Sequence, residues 1–258
     1  MLNPDKLDDN RPTDPSPYAG GARYGIANGS GSGASVSALC STGFGYLRNG
    51  KEYMLTAGHC YPRNNGNRDF MWIVTGSDTS PTKSQYAGSK CCSTFESGTG
   101  TVPMGNDNQN HGDLALVNVS GAGNDAGNQV WWGGVSTTDK IPVTSRTAPT
   151  IGDDVCINGM TSGSDCGTVV QHTNVARTAG GETVRNIDVA HSTHSYDCSQ
   201  GGDSGGSVVV DHSGAETAAE ATGIVSGHTN TGDGGCDQWF TGVEEAMQAW
   251  GGGLNFHN

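Results

Sequence analysis

The chain has 258 residues, a formal net charge of −13, 42 glycines and only 33% hydrophobic residues. That length allows one large domain or two small barrels with cores of their own. The acidic balance argues against a nucleic-acid partner and against an anionic membrane surface, since both would repel it. Eight cysteines, none in a CxxC or CxxH metal spacing, point to disulfides and an oxidising compartment, so a secreted, extracellular protein is expected. No apolar run approaches the roughly 20 residues of a membrane helix. Met1-Leu2-Asn3-Pro4-Asp5-Lys6 has no apolar signal core, so the targeting segment of a secreted form is expected to have been removed.

Residues 1–17, rich in Pro, Asp and Asn, read as a mobile arm or the remnant of a pro-segment. From Tyr18 the pattern changes to short β-type runs between Gly, Asn and Ser turns. They include Gly43-Phe44-Gly45-Tyr46-Leu47, Tyr53-Met54-Leu55-Thr56, Phe70-Met71-Trp72-Ile73-Val74 and Leu114-Ala115-Leu116-Val117. Beyond a Gly/Asn-rich stretch near 121–128 come Val155-Cys156-Ile157, Gly167-Thr168-Val169-Val170, Ser207-Val208-Val209-Val210 and Thr222-Gly223-Ile224-Val225. Val243, Met247 and Trp250 then fall at i, i+4 and i+7 behind Glu244 and Glu245, which predicts a short C-terminal amphipathic helix. The expected architecture is all-β with that one helix.

Chemistry concentrates in three short motifs. Gly202-Asp203-Ser204-Gly205-Gly206 presents a serine in a glycine loop, and a serine hydroxyl needs a base before it becomes a useful nucleophile. Thr56-Ala57-Gly58-His59-Cys60 offers that base and Gly112-Asp113-Leu114-Ala115-Leu116 a carboxylate to orient it. Each has a plainer reading, as a glycine loop, an ordinary histidine or a turn acid; the conjunction of the three is what speaks for chemistry. Ser204 also satisfies GxSxG, but the β-branched run after it looks like a strand, where an esterase of the α/β-hydrolase type needs a helix. His111, His172, His191, His194, His212 and His257 have no comparable context and read as ordinary surface or core residues. Asn106-Asp107-Asn108-Gln109-Asn110 lacks the glycine and terminal glutamate of a calcium loop and reads as a polar turn. Trp131-Trp132 reads as packing rather than a binding platform.

The order His59, Asp113, Ser204, together with Cys40 and Ile224-Val225-Ser226-Gly227, resembles the chymotrypsin-fold serine proteases over about residues 18–250. The secreted bacterial branch, with streptogrisins and α-lytic protease, is the most similar. The resemblance implies two antiparallel six-stranded β-barrels, 18–130 carrying His59 and Asp113 and 131–258 carrying Ser204 and the helix. It implies Ser204 as nucleophile, His59 as general base, Asp113 as its orienting acid, and the N–H groups of Gly202 and Ser204 as oxyanion donors. Ser226, Gly227 and His228 would pair with substrate backbone. Ser199, Gln200 and Gly201, with Val225 to His228, would wall a P1 pocket without a carboxylate, suited to a large apolar side chain. Asp197 beside it reads as a solvated loop acid. A pocket in which His228 and Ser199 read glutamate is the rival, weakened because Val225 stands where glutamate-specific bacterial relatives carry histidine.

The same resemblance pairs Cys40 with Cys60, Cys156 with Cys166, and Cys198 with Cys236. Cys91 and Cys92 are left to a vicinal bridge, which is favoured, to a bridge between chains, or to free thiols. No metal or cofactor is implied. The expected partners are polypeptide substrates and a removed pro-segment that aids folding, for a monomeric enzyme. Animal members are activated when a freed Ile or Val amine pairs with the acid beside the serine. Ser16-Pro17-Tyr18-Ala19-Gly20-Gly21 offers no such start, so Asp203 must be held otherwise. A catalytically silent binding protein on this scaffold is the non-enzyme alternative.

Overall fold

The structure, a computed structural model, describes residues 10–61, 69–95, 110–179, 182–194, 197–212 and 217–257. It is mostly β, with two sheets and one short C-terminal helix. The first sheet is an eight-strand path. It runs Gly253–Leu254, Gly45–Arg48, Lys51–Thr56, Ala115–Asn118, Ser80–Ser93, Phe70–Ser77, Arg23–Ala27 and Val36–Ser41. In the second, Ala219–Asn230, Ser207–Val210, Asp154–Gly159, Gly163–Ala179, Glu182–Ser192 and Cys236–Gly242 pair in turn. The last pairs again with the first, so six strands close into a ring with no edge between them. Tyr18–Gly20, Ala126–Trp131 and Lys140–Arg146 extend that ring. Among the described residues no helix is long and apolar enough to cross a membrane, which leaves strand-built membrane barrels unaddressed.

Sequence patterning accounts for these elements. Strands flanked on both sides, such as Ser207–Val210, are β-branched runs buried nearly throughout. Val155, Ile157, Val170, Ala190, Val208, Val225 and Phe240 fill the ring. A larger cluster, including Tyr24, Phe44, Met54, Leu55, Leu116 and Ile224, joins the two sheets. The helix spans Val243–Trp250; Val243 and Ala246 are buried, and Met247 and Trp250 pack on the larger cluster. After it Gly253–Leu254 pairs with Gly45–Arg48, returning the C-terminal end to the first sheet.

The segment expected to be mobile is docked from Asn10 onward. Arg11–Thr13 forms a 3₁₀ turn, and the Arg11 side chain is fully buried. Its guanidinium donates to the carbonyls of Gly21, Gly159, Trp131 and Gly133, to Ser164 Oγ and to Asn158 Oδ1. Asp14, also buried, accepts from Ala19 N at 2.6 Å and pairs with Lys140 at 3.2 Å. A buried charge needs hydrogen-bond partners to stay in the interior. Carbonyls from several chain segments converge on the two terminal nitrogens of Arg11, while its Nε has no partner among the described residues. Trp131 is fully buried beneath the Lys140 ammonium. The Asn106–Gln109 part of the polar run lies outside the described residues.

Candidate active site

Strand register carries the three motifs to one place. Lys51–Thr56 pairs with Ala115–Asn118, Thr56 opposite Ala115, so the turn after one strand and the residues before the other share an end. His59 sits in the Gly58–Cys60 turn there. Its N–H donates to Asp113 Oδ1 at 2.7 Å and its Nδ1 meets Oδ2 at 2.6 Å. Asp113 is 4% exposed, and its own N–H donates to Thr241 Oγ1 of the second sheet at 2.9 Å. Burial disfavours charge on the His59 ring, but the charge of Asp113 and its hydrogen bond outweigh that and raise the ring above its ordinary pKa of 6.5. Burial likewise pushes Asp113 up. The facing ring, the bonds from His59 and a smaller pull from Ser226 hold the carboxyl below its ordinary value.

Ser204 comes from the second sheet, three residues before Ser207–Val210. Ser41 N donates to Ser204 O at 2.8 Å and Ser41 Oγ to Gly202 O at 2.8 Å, which fastens the serine loop to the strand carrying Cys40. Gly205 has φ 87°, and a Cβ there would lie 2.1 Å from Thr56 Oγ1, so only glycine fits. The N–H groups of Asp203, Gly205 and Gly206 donate to Gln200, Val225 and Asp203 carbonyls. Those of Gly202 and Ser204 have no acceptor among the described residues. The Ser204 hydroxyl does not hydrogen-bond the His59 ring; in ligand-free hydrolases that contact commonly tightens only when substrate arrives.

Asp203 is fully buried and richly held. Oδ1 accepts from the N–H groups of Thr161 (2.7 Å) and Ser162 (3.1 Å), and Oδ2 from Ser162 Oγ and Gln200 N (both 2.6 Å). Gly159 packs so closely that a Cβ would sit 2.4 Å from Oδ1. Beyond Gly159, whose carbonyl it binds, lies the Arg11 guanidinium. Burial lowers its pKa to about 10, and the Asp203 charge acts in the opposite sense. Asp203 is thus held by four hydrogen bonds, with a buried arginine one layer further back. Sequence reasoning found the need and not the groups, because Arg11 stands in a segment that looks disordered.

The expected pocket walls are also joined. Gln238, which sequence reasoning missed, is fully buried. It accepts from Ser199 N at 3.0 Å and donates to Gly227 O at 2.8 Å, spanning both walls. Gln200 is exposed at the loop, and Val225 is buried in the ring core. Asp197 is not the solvated acid expected. It is 6% exposed and accepts from Ser192 Oγ at 2.6 Å, since the short Cys198 loop folds it inward. Ser226–His228 pairs on one edge with Cys236–Gly242, while its other edge has no strand partner among the described residues. A cavity of about 370 Å³ opens beside it, lined by His59, Asp113, Gly227, His228, Trp239 and Arg177 among others. Four disulfides are present: Cys40–Cys60, Cys156–Cys166, Cys198–Cys236 and the vicinal Cys91–Cys92.

A family model described as Trypsin matches residues 25–250. The chain belongs to the trypsin family of serine proteases. Streptogrisin-C of Streptomyces griseus is 28% identical over 215 residues, 83% of this chain and 38% of that relative, so the chain spans well under half its length. Cellulomonas bogoriensis chymotrypsin shares 26% identity at a TM-score of 0.59, over 93% of this chain and 98% of that one. A protease described as glutamic acid specific, with a novel histidine triad in substrate binding, shares the fold. Its TM-score is 0.64 at 21% identity, covering 92% of this chain and all of the other.

Proposed function

We propose that the protein is a secreted serine endopeptidase acting through His59, Asp113 and Ser204. The observation that carries this reading is the doubly bonded His59–Asp113 pair, with neighbouring Cys60 Sγ 3.7 Å from Ser204 O, beside a glycine loop whose Gly202 and Ser204 N–H groups have no acceptor among the described residues. Asp113 accepts from Nδ1–H, so the neutral ring presents Nε2 as a base on its open side. Ser204 Oγ adds to the scissile carbonyl as His59 takes its proton. The oxyanion meets the N–H groups of Gly202 and Ser204, each worth about 3–4 kcal/mol to the transition state. His59 then returns the proton to the leaving amine, and water repeats the sequence on the acyl-enzyme. The Cys40–Cys60 bridge and the other disulfides fit an extracellular setting.

At P1, the residue whose carbonyl is attacked, the reading is a large apolar side chain. Gln238 spends its amide on Ser199 and Gly227, and the Asp197 carboxylate is turned to Ser192, which leaves neutral walls. Val225 lies in the apolar core, which weighs against a histidine-built glutamate pocket of the kind attributed to the glutamate-specific protease. Chromogenic peptides differing only at P1, run with wild type and Ser204→Ala, test both levels. Cleavage lost in the variant and highest for Phe, Tyr or Leu is the expected result. Best cleavage after Glu overturns the pocket assignment. No cleavage, with no fluorophosphonate labelling of Ser204, overturns the enzyme.

A further inference from the structure

The cavity beside Ser226–His228 holds a charge that catalysis does not use. Arg177 lines it on the Gly163–Ala179 strand, directly across from Val184, which lines it too. Several other cations of this acidic chain are matched, although Lys83 meets carbonyls and the Trp72 ring instead of an acid. Arg23 pairs with Asp78, Lys90 with Asp69, Lys140 with Asp14 and Arg146 with Glu244, while Arg11 is enclosed by carbonyls. Arg177 makes no ion pair among the described residues; its guanidinium donates only to the neighbouring Ala176 carbonyl, at 3.3 Å. Phe95, Val184, Ile187 and Trp239 give the same cavity apolar walls, which lower the local dielectric and strengthen any charge contact made there.

We infer that Arg177 is a specificity determinant that receives an Asp or Glu side chain of the substrate, on the amino side of the scissile bond. This rests on the endopeptidase reading above. The unpaired edge of Ser226–His228 is a site for adding a substrate strand, and a strand laid there carries the residues before P1 past His228 toward the cavity. Alternate side chains of an extended peptide point to opposite faces, so one position among P2, P3 and P4 faces Arg177. The guanidinium is planar, permanently charged and shaped for two parallel bonds to a carboxylate. The remaining space beside Trp239 and Ile187 takes the methylenes of that residue. Because the protein carries −13 overall, acidic peptides meet a repulsive field at long range, and the effect appears as a ratio between isosteric peptides rather than as a fast on-rate.

The test pairs peptides of fixed P1 that carry Glu or Gln at P2, P3 or P4, assayed with wild type, Arg177→Met and Arg177→Glu. At one position wild type should prefer Glu over Gln in kcat/KM by about 3–10-fold, the range for a partly screened ion pair. The ratio should fall to about 1 in Arg177→Met and below 1 in Arg177→Glu. A general folding defect lowers both peptides together and leaves the ratio alone. A Glu/Gln ratio equal in wild type and Arg177→Met, whatever its value, overturns the inference while the enzyme reading stands. Failure of every peptide, with no fluorophosphonate labelling of Ser204, overturns both.

Discussion

Two buried carboxylates, Asp113 against His59 and Asp203 within the serine loop itself, differ in the kind of partner they have. Asp113 faces His59, a cation only when protonated, whose ring is 33% open to solvent. Asp203 faces backbone N–H groups, a hydroxyl and, one layer further back, an arginine that stays charged. The first pair can move a proton and reverse the move; the second cannot. On the proposed mechanism, chemistry needs the titratable partner at the cleft, while the loop geometry needs the permanent one in the interior.

Breaking the first pair should cost most. Asp113→Asn removes the charge that favours His59 and frees the tautomer, so kcat should fall by about 10⁴, near-normal turnover being the contrary result. Breaking the second pair acts on stability and loop shape together. Arg11→Met strips donors from several buried carbonyls and the countercharge from Asp203. It should lower unfolding free energy by about 3–5 kcal/mol in urea titration and slow fluorophosphonate labelling of Ser204, with partial recovery in Arg11→Lys. Full labelling speed in the Met variant would show that the bonds from Thr161, Ser162 and Gln200 hold Asp203 without Arg11.

The pH dependence sharpens the contrast. The raised His59 pKa means kcat/KM should climb with pH through a midpoint above 6.5. In stability terms, a group raised on folding stabilises fully below its ordinary 6.5 and loses that contribution as pH rises through the folded value. The smallest effect is expected at a third buried acid. Asp188 is 4% exposed, and burial first, then the nearby Glu245 charge, raise it to about 6. A raised carboxyl destabilises progressively as pH climbs from its ordinary 3.8 through about 6. Asp188→Asn should therefore raise Tm at pH 8 and leave it unchanged near pH 3.5, where both side chains are neutral. A lower Tm at pH 8 would mean that the bond from Asn174 N at 3.0 Å needs the charged acceptor.

Residues whose use is local were legible. His59 beside Cys60, the Gly–Asp–Ser–Gly–Gly loop and the helix through Val243 and Met247 all announce themselves within a few positions, because turn chemistry and periodicity act at short range. Residues whose use is remote were not. Arg11 sits in a Pro- and Asp-rich segment with no pattern, and Asp197 and Gln238 carry no motif. Their burial depends on partners such as Asn158, Ser192 and Gly227 that the chain supplies far away or around a turn.

By itself, then, the sequence determined the β-rich composition, the eight cysteines available for disulfides, and the three chemical groups with their order along the chain. These follow from residue type and short spacing. Tertiary structure alone decided that Thr56 lies opposite Ala115 so that His59 and Asp113 meet, that Asp203 has a buried counterion on the N-terminal segment, and that Arg177 lacks one among the described residues. Charge pairing is a property of distance in space, and in a fold built from long-range strand pairing that distance is set by register rather than by position in the chain.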